Sequence, residues 1–480
     1  MNALRVGVSG VFLGLLAAAA LAQPSRPHSV ELRRGSFEAA APDFGQPWAK
    51  YCGGLAMTGV GQDDGLFSST AGGLKLLWMR PLPQVVASQP AVSLGRVYVG
   101  DWSGTEYELD AANGDILATA YLGYTYAAQC GPPNLGITST PAISGDTIYL
   151  AGGDDGFYAL DHDTLAIRWR VSLGDNSPTG GYYGWCSPAV VEGRVLQGVS
   201  SDCDDPFVPG RVVALDSETG ALSDQSFLVP SGQVGGGVWT SPAVDLPARK
   251  VFVSTASAGD LSVGLAFSIV RLSLDGLAIE DHWKVDPMGT PDADWGSSPT
   301  LFEDGAGRRL VGAGQKDGSY YAFLRDDLGH GPVWRTPLAR GGGCPECGDG
   351  TLSTAAFDGL RLYVGAGAPP GTPDRFEAGT VSALDPATGS IVWQYSIPGG
   401  PVFAPITVVN DVVLVAGAFR VAALSAATGA ERWSYPVIAQ LFGGIAVSGG
   451  RIFLGDVYGF VYAFGLPDAS LEEGVGADGP

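Results

Sequence analysis

The chain has 480 residues, with 72 Gly, 33 Pro, 45% hydrophobic and only 16% charged residues. It turns often and has enough apolar material for a large core, which excludes disorder over most of its length. Its 27 Lys and Arg face 49 Asp and Glu, a net charge of −22, which repels phosphate backbones and anionic membrane surfaces and argues against nucleic acid as a partner.

Residues 1–22 carry one early cation, Arg5, then an apolar run ending Ala20-Leu21-Ala22. That is the pattern of a secretory signal peptide cleaved after Ala22. The run is short for a bilayer span, no Cys follows it to take a lipid, and no later stretch is long and apolar enough to cross a membrane. The expectation is a periplasmic or secreted protein with no membrane span: a flexible linker over 23–45, one domain over 46–467 and a flexible acidic tail over 468–480.

Six cysteines, Cys52, Cys130, Cys186, Cys203, Cys344 and Cys347, follow the signal, and an even number in an oxidising compartment favours disulfides. Cys344-Pro345-Glu346-Cys347 is the one CxxC and no His follows it, so covalent haem is not expected. With no second CxxC and four His in all, neither is structural zinc.

From Pro90 onward one unit recurs, opening at Pro90, Pro141, Pro188, Pro242, Pro299, Ala355, Pro405 and Ile445. Each opens on an apolar stretch, turns, and runs into a second stretch. A Gly/Asp-rich loop and a third stretch ending near Leu-Asp follow, then a Thr-Gly turn and often a Trp. Short β-rich runs punctuated by Gly and Asp read as strands of a meander. Four strands per unit, eight times, predict an all-β, eight-bladed propeller. The eighth unit, Ile445–Leu466, supplies only three strands. Leu74-Lys75-Leu76-Leu77-Trp78-Met79 has the look of a fourth with nothing before it, and is predicted to complete blade eight and remove the last open seam.

Ala383-Leu384-Asp385-Pro386-Ala387-Thr388-Gly389-Ser390-Ile391-Val392-Trp393 resembles the AxDxxTGxxxW docking motif of the quinoprotein alcohol dehydrogenases, with further copies at Leu215–Gly220 and Leu424–Gly429. Three more stretches, Gly235–Asp245, Asp292–Pro299 and Gln315–Gly318, look like the polyvinyl-alcohol-dehydrogenase-like branch of the pyrroloquinoline quinone (PQQ) propellers. The resemblance covers roughly residues 47–466. It implies a PQQ-dependent oxidoreductase acting on alcohol groups, with PQQ stacked on Trp239, Lys316 at a quinone oxygen, Asp294 or Asp292 as base, and a Ca²⁺ ion beside the quinone. The calcium ligands depart from the family pattern: Thr255-Ala256-Ser257 stands where Thr-Gly-Asn is usual, and Ser200-Ser201-Asp202-Cys203-Asp204-Asp205 where a Glu is usual. Asp202, Asp204, Asp205 and Ser257 are the oxygen donors left to consider. Electrons would leave to a separate acceptor.

Strand order tests this independently. In a four-strand meander the segment before the first strand and the loop after the second lie at one end, so Trp185, Trp239, Trp295, Asp292, Asp294, Lys316, Asp202–Asp205 and Ser257 should share one face. Each also has a plain structural role open to it: interblade packing for the Trp residues, turn carboxylates for the Asp residues, a surface pair for Lys316 with Asp317. Cys186 and Cys203 lie nearly symmetrically about Glu192-Gly193-Arg194 and are expected to pair, leaving Cys52 with Cys130 and Cys344 with Cys347, though spacing does not fix connectivity. The competing class is a non-catalytic propeller scaffold binding protein partners in the cell envelope.

Overall fold

The computed structural model describes residues 46–467 except 64, 126–133, 261, 286–292 and 373–377. The expected signal peptide, linker and tail lie outside the described residues. Eight antiparallel four-stranded sheets account for almost every strand, with two single-turn 3-10 helices, Ala71–Gly73 and Pro345–Cys347, among the described residues. Blade 1 comprises Ala91–Ser93, Arg96–Gly100, Thr105–Asp110 and Ile116–Tyr121. Blade 5 comprises Thr300–Glu303, Arg309–Gly314, Ser319–Leu324 and Asp327–Pro337. In every blade the two middle strands are buried and the outer strand alternates toward solvent, as a stack of sheets around an axis requires.

Blade 8 is built from both ends of the chain, as the repeat count predicts. Lys75–Pro81 pairs antiparallel with Phe460–Gly465, beyond Ala446–Ser448 and Arg451–Gly455. Trp78, Leu74 and Leu82 join residues of blades 7, 8 and 1 in one buried cluster, so the seam is closed by apolar burial as well as by the ladder.

The Thr-Gly turns and the Trp residues dock successive blades. The indole N–H of Trp78, Trp169, Trp334 and Trp393 donates to the carbonyl of Ala111, Ser217, Pro386 and Ala426 in the next blade, at 2.9 to 3.0 Å. The turn glycines Gly114, Gly220, Gly389 and Gly429 have φ between +70° and +75°. Each ring lies where a Cβ would stand, 2.6 Å away for Gly114, Gly220 and Gly429, so both the backbone conformation and the ring exclude any larger residue.

A feature that the repeats do not contain fills the axis. Residues 46–61 cross the inner ends of the blades as a strap. A backbone N–H two residues past the opening of five blades, and three past it in a sixth, donates to it: Val92 to Trp48, Ile143 to Ala49, Val244 to Leu55, Leu301 to Ala56, Phe357 to Thr58 and Val408 to Gly59, all at 2.7 to 2.9 Å. These are edge donors of the innermost strands, which a bare propeller leaves unpaired. Lys50 holds the strap in shape, its ammonium bonding the carbonyls of Tyr51 and Gly54 and the Met57 sulfur. Burial pulls the Lys50 pKa down to about 8.

The disulfide expectation is corrected in part. Cys344 and Cys347 are bonded. Cys203 is disulfide-bonded too, but Cys186 and Cys52 are free, buried thiols, so neither Cys186–Cys203 nor Cys52–Cys130 forms. The hairpin pairs Ala189 with Leu196 and Val191 with Arg194, a register that carries Cys203 past any position opposite Cys186. The Cys186 sulfur instead accepts the Gly198 N–H at 3.0 Å. Cys130 lies outside the described residues. Burial pushes both free thiols up to about 12, so they stay protonated and unreactive.

Candidate functional site

The residue just before the opening of blades 2 to 6 is Thr140, Ser187, Ser241, Ser298 and Thr354. Each of the last four hydroxyls accepts the backbone N–H of its counterpart one blade earlier, at 2.8 to 3.1 Å. This ring of hydroxyls stitches the blades together around the axis. Where it ends, the strap takes over: the Tyr51 hydroxyl bonds Thr354 Oγ1 at 3.1 Å, and the Cys52 N–H donates to the Gln89 side chain of blade 1.

Above this floor lies an axial cavity of about 380 Å³. Tyr51, Ser88 and the hydroxyl ring form its base, and Trp102, Leu135, Trp185, Trp239, Leu352, Phe403 and Phe442 its apolar walls. No charged side chain is among the described residues of its lining. Size and composition are those of a small-molecule site: mostly apolar, with a few polar groups at fixed places.

Next to one wall is an ion pair. The segment before blade 5 bridges the loop after that blade's second strand, Trp295 opposite Gln315, and the Lys316 N–H donates to the Asp294 carbonyl. That backbone pairing sets Lys316 Nζ 2.6 Å from Asp294 Oδ1, both side chains over nine-tenths buried. Lys316 Nζ also lies 5.9 Å from the centre of the half-buried Trp239 ring, within reach of a cation–π attraction. The Trp239 Nε1 is buried without a hydrogen-bond partner.

The other candidates divide. Trp185 lines the cavity, its Nε1 donating to the Ser201 carbonyl at 3.0 Å. Trp295 does not line it. It is wholly buried against Trp283, Tyr321 and Phe323 in the core beneath blades 4 and 5. Ser257 donates to Asp204 Oδ2 at 2.9 Å, so two proposed metal ligands do meet, but they satisfy each other. Asp205 is exposed. Asp202 is buried, and that burial pushes its carboxyl up to about 6. Among the described residues no three His, Cys, Asp or Glu side chains gather as a metal ion requires, so the described donors do not fit calcium. Asp292 lies outside the described residues.

Sequence reasoning missed Tyr51, Trp102, Leu135, Phe403 and Phe442. The hydroxyl ring had a signal, the Ser/Thr-Pro pair that opens four of the units; the strap residues had none.

Comparison with known proteins places this geometry in context. The chain is 24% identical over 375 residues to a polyvinylalcohol dehydrogenase of Sphingopyxis sp. (strain 113P3), covering 67% of this chain and 54% of that protein, so it spans about half the length of this curated relative. Its fold resembles the quinohemoprotein alcohol dehydrogenase of Comamonas testosteroni, at a TM-score of 0.72 and 18% identity over 91% of this chain and 82% of that one. It also resembles a europium-containing methanol dehydrogenase, at 0.73 and 17% identity over 88% and 98%. The family model PQQ_2, described as outer membrane protein assembly factor BamB, matches residues 67–266 and 377–470. With more than half of its length matched, and with the interblade docking that the repeats dictate, the chain belongs to the PQQ_2 family of propellers.

Proposed function

We propose that this chain is an exported, PQQ-dependent oxidoreductase that oxidises alcohol groups and passes electrons to a separate acceptor. The observation that carries the reading is the buried Lys316–Asp294 pair beside Trp239 at the wall of the axial cavity. A flat, anionic quinone needs an aromatic face to stack on and a cation at its oxygens. The half-buried Trp239 and the Lys316 ammonium fit both needs, and the cavity is the size of a small cofactor. When bound, PQQ supplies the two-electron acceptor. Trp239 would hold its ring, Lys316 would supply the cation for its quinone oxygens, and Asp294 would take the hydroxyl proton of the alcohol. The 2.6 Å contact with Lys316 favours the ionised carboxylate that a general base must be. Trp185 completes the aromatic wall, and Asp292 is a second candidate base. Alcohol dehydrogenase relatives support the reaction class, and the apolar walls suit an uncharged alcohol. Export rests on the pattern of residues 1–22; no described helix is long and apolar enough to cross a membrane.

The test is a titration of residues 23–480 with PQQ, with and without Ca²⁺, followed by Trp fluorescence and repeated with Trp239→Ala. Binding that the substitution removes, together with dye-linked alcohol oxidation lost in Asp294→Asn, supports the oxidoreductase. A second reading, a propeller scaffold for protein partners in the cell envelope, is favoured by the family model's description and by the uncharged cavity lining. Absence of PQQ binding under both conditions selects it.

A further inference from the structure

One buried acid breaks the repeat. Glu106 lies in the third strand of blade 1, paired with Gly100 and Ala120. The equivalent position, three residues before the Leu or Phe that closes this strand, is Phe157, Val212, Ile269, Tyr320, Val381, Val421 and Val461 in the other blades. All eight are completely buried. Glu106 alone brings a carboxyl, and neither of its oxygens has a hydrogen-bond partner, a costly arrangement for a group in an apolar interior.

The place matters as much as the residue. The face it shares with Tyr98 and Ala120 packs against blade 2 in a cluster with Leu122, Ile137, Ile148, Leu150 and Tyr158. Gly100 has no side chain, and Ile137 and Glu106 crowd the space that a Cβ would take there, with Oε2 2.8 Å from that position. Ile137 lies between Leu135 and Thr138, and its N–H donates to the carbonyl of Asp101, the neighbour of Trp102. Leu135, Thr138 and Trp102 all line the axial cavity.

We propose that Glu106 is a proton-operated latch on this wall: neutral, it packs the seam between blades 1 and 2; ionised, it loosens the seam and with it Trp102, Leu135 and Thr138. The charged and titratable groups around it bear this out. Along its own strand Glu108 is paired with Arg96. The second strand brings Tyr98 and the loop after it Asp101, and the outer strand offers only Ala118 and Ala120 on this face. Across the seam Tyr158 is tied to Asp154 and Arg170, and His162 to Tyr98 and Asp163. Among the described residues no cation is bonded to Glu106. Burial, reinforced by the negative charge of Asp101, holds its carboxyl well above the usual range. A seam that opens to water returns Glu106 to an ordinary acidity, so opening releases a proton and is favoured as pH rises. The inference does not depend on what the cavity holds.

The test is amide hydrogen exchange of wild type, Glu106→Gln and Glu106→Val across pH 6 to 9, read in residues 98–109 and 137–151. After correction for the intrinsic exchange rate, the opening constant of the wild-type seam is expected to rise with pH, by up to about tenfold per unit while Glu106 stays protonated in the closed seam, and both variants stay flat. Quenching of the cavity tryptophans by acrylamide should rise in parallel in wild type only. Glu106→Gln keeps the size and cannot ionise, so it decides the matter even if Val repacks badly. The same pH curve for wild type and Glu106→Gln would overturn the latch.

Discussion

Blades 5 and 8 use the same loop for different ends. In blade 8, Asp456 accepts the N–H groups of Tyr458 and Phe460 and, at 2.7 Å, the Tyr462 hydroxyl. In blade 5, Gln315 stands where Asp456 does and Asp317 takes over the work, accepting the Ser319 N–H and the Tyr321 hydroxyl. Blade 2 repeats it with Asp154 and Tyr158. These carboxylates are structural: they tie a loop to its own third strand. What distinguishes blade 5 is the residue after Gln315. Val457 in blade 8 becomes Lys316, with Asp294 delivered to it by the preceding segment. The loop frame is shared, and at one of its variable positions blade 5 sets an ammonium 5.9 Å from the centre of the Trp239 ring that lines the cavity.

That contrast can be broken most violently at blade 8. A chain beginning at Pro83 lacks both the strap and the closing strand, whereas blade 5 keeps all four of its own strands. It loses six hydrogen bonds to inner edges and a share of the largest core cluster, more than the roughly 5–15 kcal/mol of a typical domain can absorb. No folded monomer is expected by size-exclusion chromatography and circular dichroism. The next largest effect is at the variable position. Lys316→Met strands the buried Asp294 carboxylate without its ammonium and should cost about 3–5 kcal/mol in denaturant unfolding, along with alcohol oxidation, whereas Val457→Ala should cost under about 1 kcal/mol. Equal costs would mean that Lys316 is no more than a packing residue.

The shared scaffold makes a smaller, symmetrical prediction. Tyr321→Phe and Tyr462→Phe each remove one hydroxyl donated to a loop carboxylate and should each cost about 1–3 kcal/mol in thermal melts, with activity retained. A large difference between them would show that the two loops are not equivalent. The smallest effect belongs to Asp202. Its carboxyl, raised to about 6 by burial, binds a proton more tightly folded than unfolded, so it withdraws stability as pH rises from about 4 to about 6 and changes nothing beyond. Asp202→Asn should therefore gain on wild type across that window in pH-dependent melts, then run parallel to it. If added Ca²⁺ were to pull the wild-type curve back toward the variant, the acidic loop would be a cation site after all.

Much of this was legible before any coordinates. The eight units, the missing fourth strand and its supply by Lys75–Pro81 follow from counting. Trp and Thr-Gly at fixed offsets forecast the blade docking because both partners are side-chain or φ requirements, which a sequence records. The convergence of Trp239, Asp294 and Lys316 followed from strand order. Trp295 was less transparent: it precedes a first strand like Trp239, yet the rings of Trp283, Tyr321 and Phe323 draw it into the core. Cys344–Cys347 forms as expected, but the Cys186–Cys203 pairing went astray because symmetry about a turn assumes a register, and the register that formed is set by apolar pairs nearer the turn.

By itself, then, the sequence determined the number of blades, the way the ring closes and which end carries the ionised groups, since period, turn chemistry and strand direction are all local. Only the tertiary structure decided the strap across the axis, whose bonds run mostly through backbone carbonyls that leave no mark on residue identity, and the neutral cavity above it, whose walls come from loops of several blades. It also decided the fate of Glu106. An acid in one strand of eight reads as a surface residue until packing shows that no water reaches it.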